Sequence, residues 1–153
     1  MKASNCLLLS ILLFTASSSF GQIIEDPAAW KYEVKKKSAT DYQLIFHLDL
    51  KAGWHIWSLH PGGDGYEIAP SFTFDKNGKV KMKGDIAENG KKTVTKMDGI
   101  DGKVTFYSGK IDYIQTVSVA GGGKVAGKLQ YQVCNDKMCL PPKDKDFVFE
   151  LPQ

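Results

Sequence analysis

Arginine is missing from this chain. All 20 of its cationic side chains are lysine, and the formal net charge is only +3. Proteins that read phosphates and base edges lean on the planar, bidentate guanidinium, so nucleic-acid binding is not expected. The run Lys35-Lys36-Lys37 reads as a solvated strand end, not a membrane-surface patch. Long apolar stretches are also lacking. Only Leu7 to Phe14, broken by Ser10, approaches one, and it falls short of the roughly 20 residues a bilayer span requires. No window sustains a 3.6-residue apolar stripe, so amphipathic helices are not expected. No Ser-His-Asp order, carboxylate pair in a pocket or phosphate loop stands out. Gly121-Gly122-Gly123 precedes a strand pattern instead of a helix, which makes it a turn and not an anion cradle. Cysteine is scarce, with three in all: Cys6, Cys134 and Cys139.

The N-terminus has the layout of a secretory signal. Met1-Lys2 is positive, the short apolar run follows, and Ala16 to Ser19 then lead into Phe20-Gly21-Gln22. Residues 1–21 are therefore expected to be removed, taking Cys6 with them. The remaining chain of about 130 residues suits one domain with a real core. The expected localisation is periplasmic or secreted, where disulfides persist. No later segment is apolar enough for stable insertion in a membrane.

The mature chain reads as strands and turns. Tyr42, Leu44, Phe46, Leu48 and Leu50 alternate along one face, the pattern of a half-buried strand. Similar alternation runs over Trp30–Val34, Ile111–Val119 and Val125–Val133, and through Phe147, Phe149 and Leu151. Shorter strands are expected at Trp54–Ser58, Ser71–Phe74, Lys79–Lys83, Lys92–Lys96 and Lys103–Tyr107. Turn signals separate them at Pro61–Gly65, Lys76-Asn77-Gly78, Glu88-Asn89-Gly90, Asp98-Gly99 and Asp101-Gly102. Many short strands around a conventional core indicate an all-β, antiparallel sandwich. It is expected to fill residues 30–153, behind a loosely held lead-in at 22–29.

The chemistry concentrates in Tyr131-Gln132-Val133-Cys134-Asn135-Asp136-Lys137-Met138-Cys139-Leu140-Pro141-Pro142. Thiol exchange needs an accessible thiolate and a second thiol near enough to resolve the mixed disulfide, and Cys134 and Cys139 have that proximity. Asn135-Asp136 favours a turn, and the two prolines hold the exit extended. Lys137 favours a thiolate and Asp136 opposes it. The competing role is a staple: closing a loop of about six residues contributes roughly 2 kcal/mol, the low end of the range. Spacing alone leaves reaction and stapling evenly matched.

His55 and Trp57 share strand parity, opposite to Trp54 and Ile56. With Trp54 and Ile56 in the core, His55 and Trp57 face outward, either as a contact surface or as ordinary sandwich packing. His47, His55, His60, Met138 and the cysteines are also Cu(I)-type ligands, but their spacing matches no known ligand set, and oxidised cysteines ligate poorly.

These residues carry a resemblance. Tyr131-Gln132-Val133-Cys134, followed by Cys139-Leu140-Pro141-Pro142, resembles the N-terminal periplasmic domain family of the thiol:disulfide interchange protein DsbD. Thr105-Phe106-Tyr107-Ser108-Gly109-Lys110 is similar to that family's cap-loop segment. Gly53-Trp54-His55-Ile56-Trp57 falls where the family has a glycine and clustered tyrosines. The cysteine loop here has one residue fewer than in the best-known members. The resemblance implies an immunoglobulin-like sandwich with no bound cofactor. It would pass electrons by disulfide exchange between a membrane-linked reductase on a separate chain and thioredoxin-fold proteins. It further implies that Cys139 forms mixed disulfides and Cys134 resolves them. Phe106 with Tyr107 would belong to a cap, above a floor lined by His55 and Trp57. A non-catalytic exported interaction module with a structural disulfide is the alternative.

Overall fold

A computed structural model describes residues 26–153. Nine strands form two antiparallel sheets that pack as an immunoglobulin-like β-sandwich, and there is no helix among the described residues. The signal segment 1–21 lies outside the described residues.

The larger sheet contains β1 (Ala28–Lys36), β2 (Asp41–Leu50), β3 (His55–Gly62), β5 (Val80–Thr95), β6 (Val104–Val119) and β8 (Val133–Cys134). The smaller one contains β4 (Ser71–Phe74), β7 (Gly123–Tyr131) and β9 (Lys143–Leu151), in the order β4-β7-β9. Strand β6 organises the larger sheet. Its C-terminal half pairs with β2 and its N-terminal half with β3, while β5 follows it along the other edge. Gly109 sits where the partner changes, with a φ of 72° that only glycine adopts freely.

Alternation builds the core as the sequence pattern requires. Tyr42, Leu44, Phe46, Leu48 and Leu50 are all buried, facing Phe72 and Phe74 of β4 and Phe147, Phe149 and Leu151 of β9. The Phe46 ring meets those of Phe72, Phe147 and Phe149 with centroids 4.8–4.9 Å apart, all edge-on, the arrangement the ring quadrupole favours. Gln115 breaks the apolar run of β6 on the core face. It is buried, and its amide donates to the carbonyls of Gly84 and Thr116, beside the register shift in β5 between Lys83 and Ala87.

Three expectations change. Glu88-Asn89-Gly90 is not a turn: these residues pair with Tyr113, Asp112 and Ile111 inside β5, followed by a register shift at Lys91. The long edge of β6 offers them partners, and the ladder prevails over the local Asn-Gly preference. Thr105–Lys110 is not a free loop either. It belongs to β6: Phe106, Tyr107 and Ser108 pair with β3 on one edge and Thr105 to Ser108 with β5 on the other, while Lys110 pairs with β2. Nor is the lead-in loose from Asp26 onward. Its carboxylate accepts hydrogen bonds from the Ala28 amide, the Tyr131 hydroxyl and the Lys143 ammonium at 2.7–3.0 Å, and Ala28 and Ala29 already belong to β1.

Candidate functional site

Strand β7 ends at Tyr131 and the chain continues through β8 into the cysteine loop. Each residue of the approach is fixed. The Tyr131 hydroxyl is tied to Asp26, and Val133 is buried in the core. The Gln132 side-chain amide spans the loop to donate to the Leu140 carbonyl at 2.9 Å. Across the loop, the Leu140 amide donates to the Val133 carbonyl and the Asn135 amide to the Met138 carbonyl. Asn135 Oδ1 accepts from the Lys137 and Met138 amides at 2.8 and 2.9 Å. The turn is thus a closed hydrogen-bonded unit, the Asx arrangement that asparagine supplies to reversals.

Cys134 and Cys139 are joined as a disulfide across this hairpin, with Cα atoms 4.0 Å apart. Their surroundings are unequal. Cys134 is 2% exposed, whereas Cys139 is exposed, as are Asp136, Lys137 and Met138. Cys139 is therefore the more accessible end of the bridge.

The pairing continues into the sheet. Cys134 lies opposite His55 on β3, and His55 lies opposite Ser108 on β6. Directly opposed residues in an antiparallel ladder send their side chains to one face, so Ser108, His55, Cys134 and Cys139 form a row on the outer face of the larger sheet. Trp57 and Phe106 oppose each other one step along the same face. His55 packs against both, at 5.2 Å from Trp57 and 4.6 Å from Phe106.

His55 and Trp57 point away from the core, as parity requires, but they are not exposed: they are 7% and 6% accessible. Phe106 packs on both rings, and the Met97-Asp98 connection between β5 and β6 lines the clefts beside them. Tyr107 lies on the opposite face, paired with Ile56 and buried in the core. A strand alternates, so Phe106 and Tyr107 cannot both stand over the cysteines. The covering element is therefore the Phe106 ring on a paired strand, and not a flap carrying two aromatics.

A cleft of ≈ 380 Å³ is lined by His55, Trp57, Met97, Asp98, the Asn135-Asp136 turn and both cysteines. A second, of ≈ 220 Å³, lies on the other side of His55 against Phe106, Trp54 and Lys51. Asp136 was expected beside the cysteines from its place in the loop, whereas Met97 and Asp98 were not, and nothing in the local sequence brings them to the site. Burial pushes the His55 pKa below its ordinary value, and the Asp136 charge opposes that only in part. Its Nε2 is buried with no hydrogen-bond partner. His47 is elsewhere on the sheet, between Glu33 and Asp112, and His60 is exposed at the far end of β3. Among the described residues no group of three or more His, Cys, Asp or Glu side chains is arranged to hold a metal ion.

A family model described as the N-terminal part of thiol:disulfide interchange protein DsbD matches residues 21–151. Comparison with curated protein sequences gave no match. Among solved structures, the N-terminal periplasmic domain of ScsB from Proteus mirabilis superposes with a TM-score of 0.63 at 17% identity, over 82% of this chain and 47% of that one. This chain thus spans about half of that relative. The reduced DsbD N-terminal domain of Neisseria meningitidis gives 0.52 at 17% identity, over 82% of this chain and 91% of its own. The complex between the DsbD and PilB N-terminal domains of the same organism gives 0.52 at 14% identity, over 87% and 94%. At these identities the superpositions establish the shared fold.

Proposed function

The chain belongs to the family of the N-terminal domain of thiol:disulfide interchange protein DsbD, and from that premise we propose that it is an exported domain exchanging disulfides with thioredoxin-fold proteins through Cys134 and Cys139. The observation that carries this reading is the inequality of the two cysteines, one exposed and one 2% accessible. In the reduced domain the Cys139 thiolate attacks a disulfide of the partner. A Cys139–partner bond forms, and the displaced partner sulfur leaves as a thiolate and takes up a proton. Cys134 then attacks Cys139, the intramolecular disulfide closes, and the second partner sulfur departs with its electron pair. Two thiols are oxidised and one disulfide is reduced. A membrane-linked reductase regenerates the dithiol by the reverse sequence. No bound cofactor is needed, because sulfur carries both electrons. A relative has been solved as a complex of its DsbD domain with another domain, which fits a module that works by docking.

The hairpin supports this use. Closing so short a loop contributes only roughly 2 kcal/mol, and the sandwich core carries the fold without it. The bridge can therefore open while β7, β9 and the core stay in place. The test is to express Cys134→Ser and Cys139→Ser in the periplasm of the native host and resolve mixed disulfides on non-reducing gels. Cys134→Ser should accumulate an adduct with a thioredoxin-fold protein that dithiothreitol releases, and Cys139→Ser should not. Adducts with neither variant, together with a bridge inert to reduced thioredoxin-fold proteins, would overturn the proposal in favour of a structural disulfide.

A further inference from the structure

Of the side chains around the disulfide, His55 is the one whose chemistry the exchange sequence leaves unused. It sits directly opposite Cys134 in the β3–β8 pair and lines the same cleft as both cysteines. Cβ atoms of opposed residues stand about 4.5–5.5 Å apart, within reach of an imidazole. Its Nε2 is buried and has no partner while the cysteines are joined. An orphaned buried nitrogen is costly and calls for an explanation. The oxidised bridge has no proton to offer it. The reduced Cys134, buried on the same row, has one.

We propose that His55 is the proton acceptor for Cys134, which makes the buried cysteine competent to resolve the mixed disulfide. The inference rests on the reading of the pair as reactive and adds the group that activates its second step. With Cys139 bonded to the partner's sulfur, the Cys134 thiol passes its proton to His55 Nε2. The thiolate attacks Sγ of Cys139, the Cys134–Cys139 bond forms and the Cys139–partner bond breaks. The electron pair leaves on the partner's sulfur, which takes the proton back from the imidazolium. Burial raises the cost of forming a thiolate at Cys134, so an adjacent base matters more for this sulfur than for exposed Cys139. The same burial keeps the His55 ring neutral, hence able to accept.

The other charged groups facing this region are Asp136 on the turn, Asp98 on the β5–β6 connection, Lys51 on the β2–β3 connection, and Lys91 of β5 opposite Ser108. None is an imidazole or a thiol. Phe106 and Trp57 pack on the ring and contribute no titrating group.

The experiment uses 5,5′-dithiobis(2-nitrobenzoate) and the reduced full chain in stopped flow. Attack by Cys139 releases one thionitrobenzoate, and resolution by Cys134 releases a second; Cys134→Ser should give the first release alone. In His55→Gln the ratio of the second rate to the first should fall about tenfold or more. The second step should also climb through the ordinary thiol range near about pH 8.5, where the wild type has already levelled off. An unchanged ratio and an unchanged pH profile would overturn the proposal. Should His55→Gln fail to fold, the wild type suffices: the NMR titration of the His55 ring must differ between oxidised and reduced protein, and identical titrations sink the idea. Absence of the first release would instead remove the reactive pair itself, and this inference with it.

Discussion

The Tyr131 hydroxyl donates to Oδ2 of Asp26 at 2.7 Å, across 105 positions of sequence. That bond ties the entry of β1 to the strand running into Cys134, and Lys143 at the start of β9 joins the same oxygen at 2.9 Å. The tyrosine of the cysteine motif therefore anchors the base of the loop from below.

Removing either partner should loosen that base. Asp26→Ala strands a part-buried hydroxyl and an ammonium, and should cost about 1–3 kcal/mol, with Tyr131→Phe costing about 1 kcal/mol. A double-mutant cycle by urea denaturation should show coupling between them. Burial pushes the Asp26 carboxyl up, but the bonds from Lys143, Tyr131 and the Ala28 amide outweigh it and hold the pKa below its usual value. A depressed carboxylate stabilises above its unfolded pKa of about 3.9, and that contribution disappears as pH falls through the lower folded value. The gap between wild type and Asp26→Asn should hence be wide at neutral pH and narrow in strong acid.

His47 should give the opposite pH signature. Burial pulls its pKa down, but Asp112 at 2.7 Å and Glu33 at 2.9 Å hold the ring protonated above its ordinary value. The stabilisation is fully present below the unfolded pKa of about 6.5 and is lost as pH rises through the folded one. His47→Gln should destabilise more at pH 5.5 than at pH 9. The groups are partly solvated, so the difference should stay within about 1 kcal/mol. Equal loss at both values would mean that charge has no part in the cluster.

The unequal burial of the cysteines predicts unequal alkylation. Reduced protein pulsed with iodoacetamide under native conditions should label Cys139 about tenfold or more faster than Cys134 by peptide mass spectrometry. Unfolding in urea should abolish the difference.

Gly127 tests the sandwich beneath the site. It lies on β7, where a Cβ would run into the Thr73 carbonyl oxygen and stand 2.6 Å from the Phe147 ring. Neither the β4 backbone nor the packed ring can retreat cheaply. Gly127→Ala should cost about 1–3 kcal/mol by overpacking, measured by chemical denaturation of the oxidised protein. A neutral substitution would show that β4 sits less tightly on β7.

The alternation from Tyr42 to Leu50 identified its strand and its buried face, because a period of two has one geometric meaning. The same rule placed His55 and Trp57 together, away from the core. It could not say that Phe106 would pack on them or that Met97 would line the cleft beside them, since both come from segments distant in sequence. A cap shared by Phe106 and Tyr107 is a role that strand alternation forbids once both residues are paired with β3 and β5. Asn89-Gly90 showed the reverse failure: a strong local turn signal yielded to a ladder supplied by β6.

By itself the sequence determined the strand-rich sandwich, the cysteine pair and the turn that joins it, because periodicity, turn chemistry and short loop closure are local properties. Only the tertiary structure decided that Cys134 is buried and Cys139 exposed, that His55 stands opposite Cys134 with an unpaired nitrogen, and that Asp26 holds the motif's tyrosine. Burial and pairing depend on which distant strands meet, and that is fixed by the packing of the whole core.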